Sequence, residues 1–451
     1  MDKVGARFFY FLLFTFPPFT GHRPPHHEPP TRPHAQSDKP APVSVAPHVP
    51  VKWKAGLASI VVTPEKYIWM AGYAGRDKPA EGKVQDLFAK ALVLEDEAGK
   101  QQVIVTLDLI GVPQDLRRRI AGRIEKDHGV PSASLFMNAS HTHSGPELRR
   151  RPGTPTEEEM KNPKVKDAWQ YTQSLETKIN EVIDAAFADL KPARLTWNKA
   201  RAGFAMNRRR DYTLPEGHPN ANKAPNPAGP VDQEVPALRI ESPEGEARGV
   251  LFGYACHNTC LGFYNWCGDY AGFAQEYLQQ HRPGFTAMFV TGCGADQNPY
   301  PRRSGVVPGV SDLELAQQHG RSLANAVEMA FSTNPIPIEG ALRNAYEEVT
   351  LTYEDTKRTP HQYPVQVIKL GDTLTLVTLG SEVVVDYSLR LKKELAGPAG
   401  VWVAGYSNDY SGYIPSSRIQ EEGGYEAATG WARGIEEIIV GKVHELYDKL
   451  P

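Results

Sequence analysis

The sequence predicts an α/β protein in which mixed β-sheets are layered with α-helices in one large domain. Two observations carry that prediction. From residue 51 onward, short β-rich runs alternate with amphipathic stretches, the pattern of stacked sheet and helix layers. The runs 365–370 and 373–379 flank Gly371-Asp372 and read as an antiparallel hairpin, so the sheets are mixed and not purely parallel. At 451 residues two or three domains are possible, but after residue 51 there is no second proline-rich break, no repeat and no long charge block.

The N-terminus differs in character from the rest of the chain. Lys3 and Arg7 precede Phe8-Phe9-Tyr10-Phe11-Leu12-Leu13-Phe14-Thr15-Phe16, so residues 1–20 read as the charged and apolar regions of a secretory signal. That apolar run is too short to span a bilayer as a helix. Residues 17–50 hold 11 of the 38 prolines and five of the 14 histidines, so 21–51 reads as a disordered, partly polyproline linker. The expected localisation is secreted or periplasmic, or cytoplasmic if the true start codon lies downstream.

In the domain at 52–451, strands are predicted at 57–62, 89–94, 103–109, 135–139, 195–199, 238–241, 249–256, 287–291, 365–370, 373–379 and 401–404. Helices are predicted at 113–128, 174–190, 273–281, 312–331, 383–395 and 430–450. In the fourth, Leu315, Leu323, Val327, Ala330 and Phe331 share one side and Asp312 sits in the first turn, where a carboxylate suits the helix dipole. The segment 209–232, rich in Gly, Pro and Asn, is a loop long enough to act as a lid or binding loop. A net charge of −3 without a basic stripe excludes a nucleic-acid footprint and leaves at most peripheral membrane contact.

Five segments deliver chemically capable residues at the end of an apolar strand. The first is Asn138-Ala139-Ser140-His141-Thr142-His143-Ser144-Gly145-Pro146. If its His-x-His pair continues the strand, both imidazoles face one way, as a metal ligand and a proton-transfer partner require. His257 follows the strand 249–256. Asp296, Gln297 and Asn298 follow Thr291-Gly292-Cys293-Gly294, and Glu382 follows Gly380-Ser381 just as a helix begins. The stretch Gly405-Tyr406-Ser407-Asn408-Asp409-Tyr410-Ser411-Gly412-Tyr413 offers an asparagine and three tyrosines. Sites in α/β sheets form beyond the carboxyl ends of strands, and two histidines with one carboxylate are a common catalytic zinc set. Taken singly, Glu382 reads equally as a helix first-turn carboxylate, His257 as a core imidazole and the tyrosines as packing. Cys256, Cys260, Cys267 and Cys293 permit one or two disulfides in an exported protein; Cys256-x-x-x-Cys260 lacks the second half of a zinc module, and buried thiols are the simplest reading of Cys256 and Cys293.

Taken in order, His141-Thr142-His143-Ser144-Gly145-Pro146, Asn207-Arg208, His257 before Thr259, Gly294-x-Asp296-x-x-Pro299, Gly380-Ser381-Glu382, Asn408-x-Tyr410-x-x-Tyr413 and Tyr425-Glu426-Ala427 resemble the catalytic domain of the neutral/alkaline (non-lysosomal) ceramidases. The resemblance runs from about Ala55 to the C-terminus and takes in Met70-Ala71-Gly72-Tyr73 and Asp269-Tyr270-Ala271-Gly272. It implies a ceramidase-like fold, a Zn2+ cofactor held by His141, His257, Glu382 and Tyr413, and a site lined by His143, Arg208 and Tyr425. It also implies hydrolysis of an N-acyl amide, ceramide or a smaller N-acyl compound. The departures are specific. Asn298 replaces a serine to which the family's chemistry has been attributed, which favours direct attack by activated water, with Asp296 beside it. The family's immunoglobulin-like C-terminal domain is expected to be absent, and Glu147-Leu148-Arg149-Arg150-Arg151 puts charge where ceramidases have glycines. The alternatives are an esterase, peptidase or deacetylase on the same scaffold, or a non-catalytic binding protein derived from it.

Overall fold

The computed structural model describes residues 52–215, 217–218, 225–302 and 307–450; the signal and linker expectations lie outside them. Nine strands form one sheet in the order Thr286–Thr291, Ala247–Tyr254, Glu234–Glu241, Lys191–Arg201, Trp53–Val61, Phe88–Glu95, Gln101–Leu107, Leu135–Ala139, with Ile336–Pro337 added against Lys191–Arg201. A second sheet runs Leu342–Leu351, His361–Leu370, Leu374–Leu379, Gly400–Ala404. Three pairs are parallel, 286–291 with 247–254, 101–107 with 135–139 and 374–379 with 400–404, while the other pairings along these two sheets are antiparallel. The mixed architecture predicted from the hairpin is what the structure has.

Two-residue alternation sorts the strand side chains into layers. Ala89, Ala91, Val93, Val103, Val105, Leu135 and Met137 pack with Leu116, Ile120 and Ile124 of the helix Gln114–His128 and with Ile179, Val182 and Ile183 of Pro163–Ala188. Val250, Phe252, Ala287 and Phe289 meet the helices Asp269–Gln279 and Asp312–Ser332 in the same way. The intervening residues Leu92, Leu94, Ile104, Phe136, Leu238, Leu251, Met288 and Val290 point the other way. They share an apolar layer with Ile368, Leu370, Leu376 and Trp402 of the second sheet. The far face of that sheet is covered by Val385–Glu394 and Ile435–Asp448 through Leu391, Ile439 and Val443. The order is therefore helices, sheet, sheet, helices.

At the carboxyl ends of the strands one buried asparagine ties the sheets together. Asn138 Oδ1 accepts from the Thr291 N–H at 2.8 Å, and its Nδ2 donates to Gly405 O at 2.7 Å. Thr291 Oγ1 donates to Ala139 O at 2.8 Å. Each buried polar atom is thus satisfied, which is the condition for keeping such a group in an apolar layer.

Several elements depart from the sequence expectation. The helix predicted from residue 174 starts at Pro163, because Asn162 caps it by accepting from Lys164 N and proline suits the first turn. The predicted helix at 383–395 starts at Val385, and the one at 430–450 at Ile435. Leu342–Leu351, not anticipated as a strand, pairs residue for residue with His361–Leu370. All four cysteines are buried free thiols with no disulfide between them. The described part of the 209–232 loop is anchored where Asn226 N–H donates to Asn207 O at 2.8 Å.

Candidate metal centre and the cleft beside it

Sharp chain turns bring the candidate donor residues together. Leu135–Ala139 ends before the histidines, and His141 adopts φ of 59°, so the pair does not continue the strand as the spacing suggested. Its N–H donates to Leu109 O and that of His143 to Asn258 O, so tertiary hydrogen bonds replace the pleat. The imidazoles still converge, with Nε2 atoms 3.1 Å apart. Ser381, Tyr406 and Asn408 also have positive φ, and such strain in non-glycine residues collects at functional sites.

Glu382 precedes its helix by three residues and does not lie in the first turn. It sits in a short parallel pair with Tyr413, Glu382 opposite Tyr413 and Val383 opposite Ile414. That register sets the carboxylate and the phenol side by side. Glu382 Oε2 lies 3.3 Å from His141 Nε2 and 3.5 Å from His257 Nε2, and it is buried without a hydrogen-bond partner. His141 Nδ1 is 2.7 Å from Ile110 O and His257 Nδ1 is 2.8 Å from Gly294 O. A carbonyl at Nδ1 fixes the proton there and turns an Nε2 lone pair inward, the second-sphere arrangement of metal-binding histidines. His141, His143 and His257 each offer a nitrogen within 4.8 Å of the others. His143 differs in one respect, because its Nδ1 is buried without a partner.

Electrostatics follow from this packing. Burial, with Arg208 beside it, pulls His257 down to about 4. Burial and the neighbouring imidazoles hold His143 well below the usual histidine range. Burial opposes ionisation of Glu382, yet His141 and His257 keep its carboxyl well below the ordinary value. Nitrogen lone pairs and one carboxylate oxygen, buried close together, fit a divalent cation.

Arg208 reaches this centre from the side. Nη1 is 3.4 Å from His257 Nε2, Nη2 donates to Tyr413 Oη at 3.2 Å and Nε to Glu426 Oε1 at 2.9 Å. Tyr425 tilts against Tyr413 with centroids 5.1 Å apart and is 68% exposed, so it stands at the outer edge. Asn298 lines the same cleft. Asp296 has a different place. Its oxygens accept from Val385 N at 2.9 Å and Asn207 Nδ2 at 3.2 Å, while its carbonyl accepts from Arg208 N at 2.9 Å. It positions the arginine segment, and burial pushes its carboxyl up to about 7.

Three neighbours have no role assigned from the sequence, although Tyr406 is one of the three tyrosines noted there. Tyr406, with a buried hydroxyl lacking a partner, packs 4.5 Å from the His141 ring. Glu426 binds Arg208 and Arg209 at once. Gly72, at φ of 97°, lies so close that a Cβ there would be 2.4 Å from His143 Cγ. Gly72 and Glu426 both fall within ceramidase-like motifs, so proximity in sequence to motif residues was the available signal.

Fold and site together define a class, a layered mixed α/β protein with a buried histidine–carboxylate cluster at its strand ends. Residues 54–297 match the family described as neutral/alkaline non-lysosomal ceramidase, N-terminal, and the chain belongs to that family. Over 231 residues it is 22% identical to neutral ceramidase A of Dictyostelium discoideum, which covers 49% of this chain and 31% of that protein, so the match spans under a third of the relative's length. The fold resembles the crystal structure of neutral ceramidase from Pseudomonas aeruginosa, with a TM-score of 0.72 at 19% identity over 89% of this chain and 76% of that one. A ceramidase structure described as complexed with C2 gives a TM-score of 0.73 at 19% identity over the same shares. The family match takes in His141, His143, Arg208, His257 and Asp296, whereas Asn298, Glu382, Tyr413 and Tyr425 lie beyond it.

Proposed function

We propose that the chain is a zinc-dependent amidohydrolase that cleaves an N-acyl amide with activated water. One observation carries this reading. The Glu382 carboxylate oxygen is buried without a partner between two imidazole nitrogens whose rings are locked by backbone carbonyls. His141, His257, Glu382 and Tyr413 would hold the metal. When bound, zinc supplies Lewis acidity and makes water nucleophilic near neutral pH.

The remaining steps belong to the chain's own residues. Arg208 presents a charged fork beside His257 and Tyr413, where the carbonyl oxygen gains charge; burial works against that charge, but Tyr413 and Glu426 raise its pKa further. His143 is neutral at pH 7 and turns its Nε2 toward the cluster, so it takes a proton there and passes it to the leaving amine. Asn298 offers no hydroxyl nucleophile, which leaves water as the attacking group. Tyr425 borders the mouth and orients the substrate.

Metal analysis of the purified protein tests this, with about one zinc per chain expected for a single four-ligand site. A chelator should abolish hydrolysis of N-acyl amides and zinc should restore it. His141→Ala and Glu382→Ala should each lose metal and activity together; full zinc occupancy in both rejects the ligand set. The export reading rests on Lys3, Arg7 and the apolar run after them, and N-terminal sequencing of the mature protein tests it.

A further inference from the structure

The cleft outside the histidine cluster has about 490 Å³ of volume and, among the described residues, is lined by four guanidiniums, those of Arg208, Arg209, Arg210 and Arg302, against one carboxylate, Glu426. The first two are used internally. Arg208 binds Glu426, and Arg209 binds both Glu426 and Glu422. Arg210 is not so used. Among the described residues it forms no ion pair, and its Nε is buried with no hydrogen-bond partner. Its guanidinium lies 5.4 Å from the centroid of the Tyr212 ring, which holds the fork against an aromatic face. Arg302 contributes a second fork on the same cleft, with Nη1 3.2 Å from Thr259 Oγ1, and Thr259 follows His257 by two residues. The anionic end of a ligand held here would therefore stand close to the histidine cluster.

A guanidinium with a buried, unpartnered Nε and no ion pair among the described residues gains nothing from a neutral two-chain lipid. For an anionic group it is the matching partner, because the planar fork fits carboxylate and phosphate oxygens in pairs. We infer that the substrate of this site is a small N-acyl compound carrying an anionic oxygen group, a carboxylate or a phosphate, bound by Arg210 and Arg302. This rests on the amidohydrolase reading above and narrows its substrate class.

Three compounds with one common acyl amide decide the matter: N-hexanoylglycine, N-hexanoyl-O-phosphoethanolamine and neutral N-hexanoylethanolamine. The wild-type protein should show kcat/KM higher for an anionic compound than for the neutral one by roughly 10- to 100-fold, as charged hydrogen bonds contribute. The better of the two anionic compounds identifies the group. In Arg210→Gln and Arg302→Gln that ratio should fall toward one. A wild-type ratio near one, with metal-dependent hydrolysis intact, overturns the inference and leaves the amidohydrolase reading standing. A ratio that survives in both variants also overturns it, since the anion is then held elsewhere. If none of the three is hydrolysed, calorimetric binding of the same compounds still decides. Tighter binding of an anionic compound, lost in Arg210→Gln, sustains the anion site while the amidohydrolase reading fails; equal or absent binding overturns the site as well.

Discussion

Replacing Gly72 by alanine tests the centre without touching a single donor atom. The new Cβ would stand 2.4 Å from His143 Cγ, 2.5 Å from Nδ1 and 2.8 Å from Cβ, where ordinary carbon contacts need about 3.5–4.0 Å. Either the ring or the loop must move by about 1 Å. The backbone adds a second cost, because φ of 97° is open to glycine and strained for alanine by about 1–3 kcal/mol. If the ring yields, Nε2 leaves its place 3.1 Å from His141 Nε2, and a displacement of that size lowers kcat by about 100-fold. The assay is hydrolysis of an N-acyl amide, run beside metal analysis and a melting curve. Metal content should stay at wild-type level, because His141, His257 and Glu382 are untouched. An unchanged kcat with a lowered melting temperature would refute a role for His143 in the chemistry. Loss of metal would instead make His143 a ligand and displace Tyr413 or Glu382 from the set.

Other expectations rest on the same contacts. His143→Ala and Arg208→Ala should keep their metal, as metal analysis will show, while kcat drops on the order of 10²–10³ for an oxyanion donor. In the metal-free protein, burial and Arg208 depress His257 from the ordinary 6.5 to about 4. A depressed histidine contributes stability in full above pH 6.5 and loses it as pH falls toward 4. At about 1.4 kcal/mol per unit, up to about 3 kcal/mol disappears across that window. Denaturant titrations of the metal-free protein at several pH values should show this slope, and His257→Gln should flatten it; an equal slope in both would assign it to other groups.

Much of the fold was legible because local pattern and tertiary environment agree. The strand Leu135–Ala139 falls where its apolar run predicts, since both faces of that run are buried. Leu342–Leu351 was not legible. Its residues Arg343, Glu347 and Glu348 suit a half-exposed edge strand, and only pairing with its neighbour makes it extended. At the site, the residue identities could be read but their geometry could not. His141 owes its left-handed backbone to hydrogen bonds with distant segments, which no two-residue period contains. Glu382 was placed at a helix start because helix boundaries blur by a residue or two; the pairing with Tyr413 that aims it is non-local. Arg208, Arg209 and Arg210 look alike in the sequence, yet the fold gives one to the centre, one to a pair of glutamates and one to the cleft wall.

His141 and His257 stand at the ends of nine-stranded-sheet strands, whereas Glu382 and Tyr413 follow strands of the four-stranded sheet. Cut the gene at the passage between Ile336–Pro337 and Leu342–Leu351, and each product carries its own sheet and helical cover but an incomplete donor set. Mixed, the two halves have a shared apolar face through which to find each other. Recovered hydrolysis of an N-acyl amide, the activity proposed above, would then report docking of the halves and make the protein a split reporter.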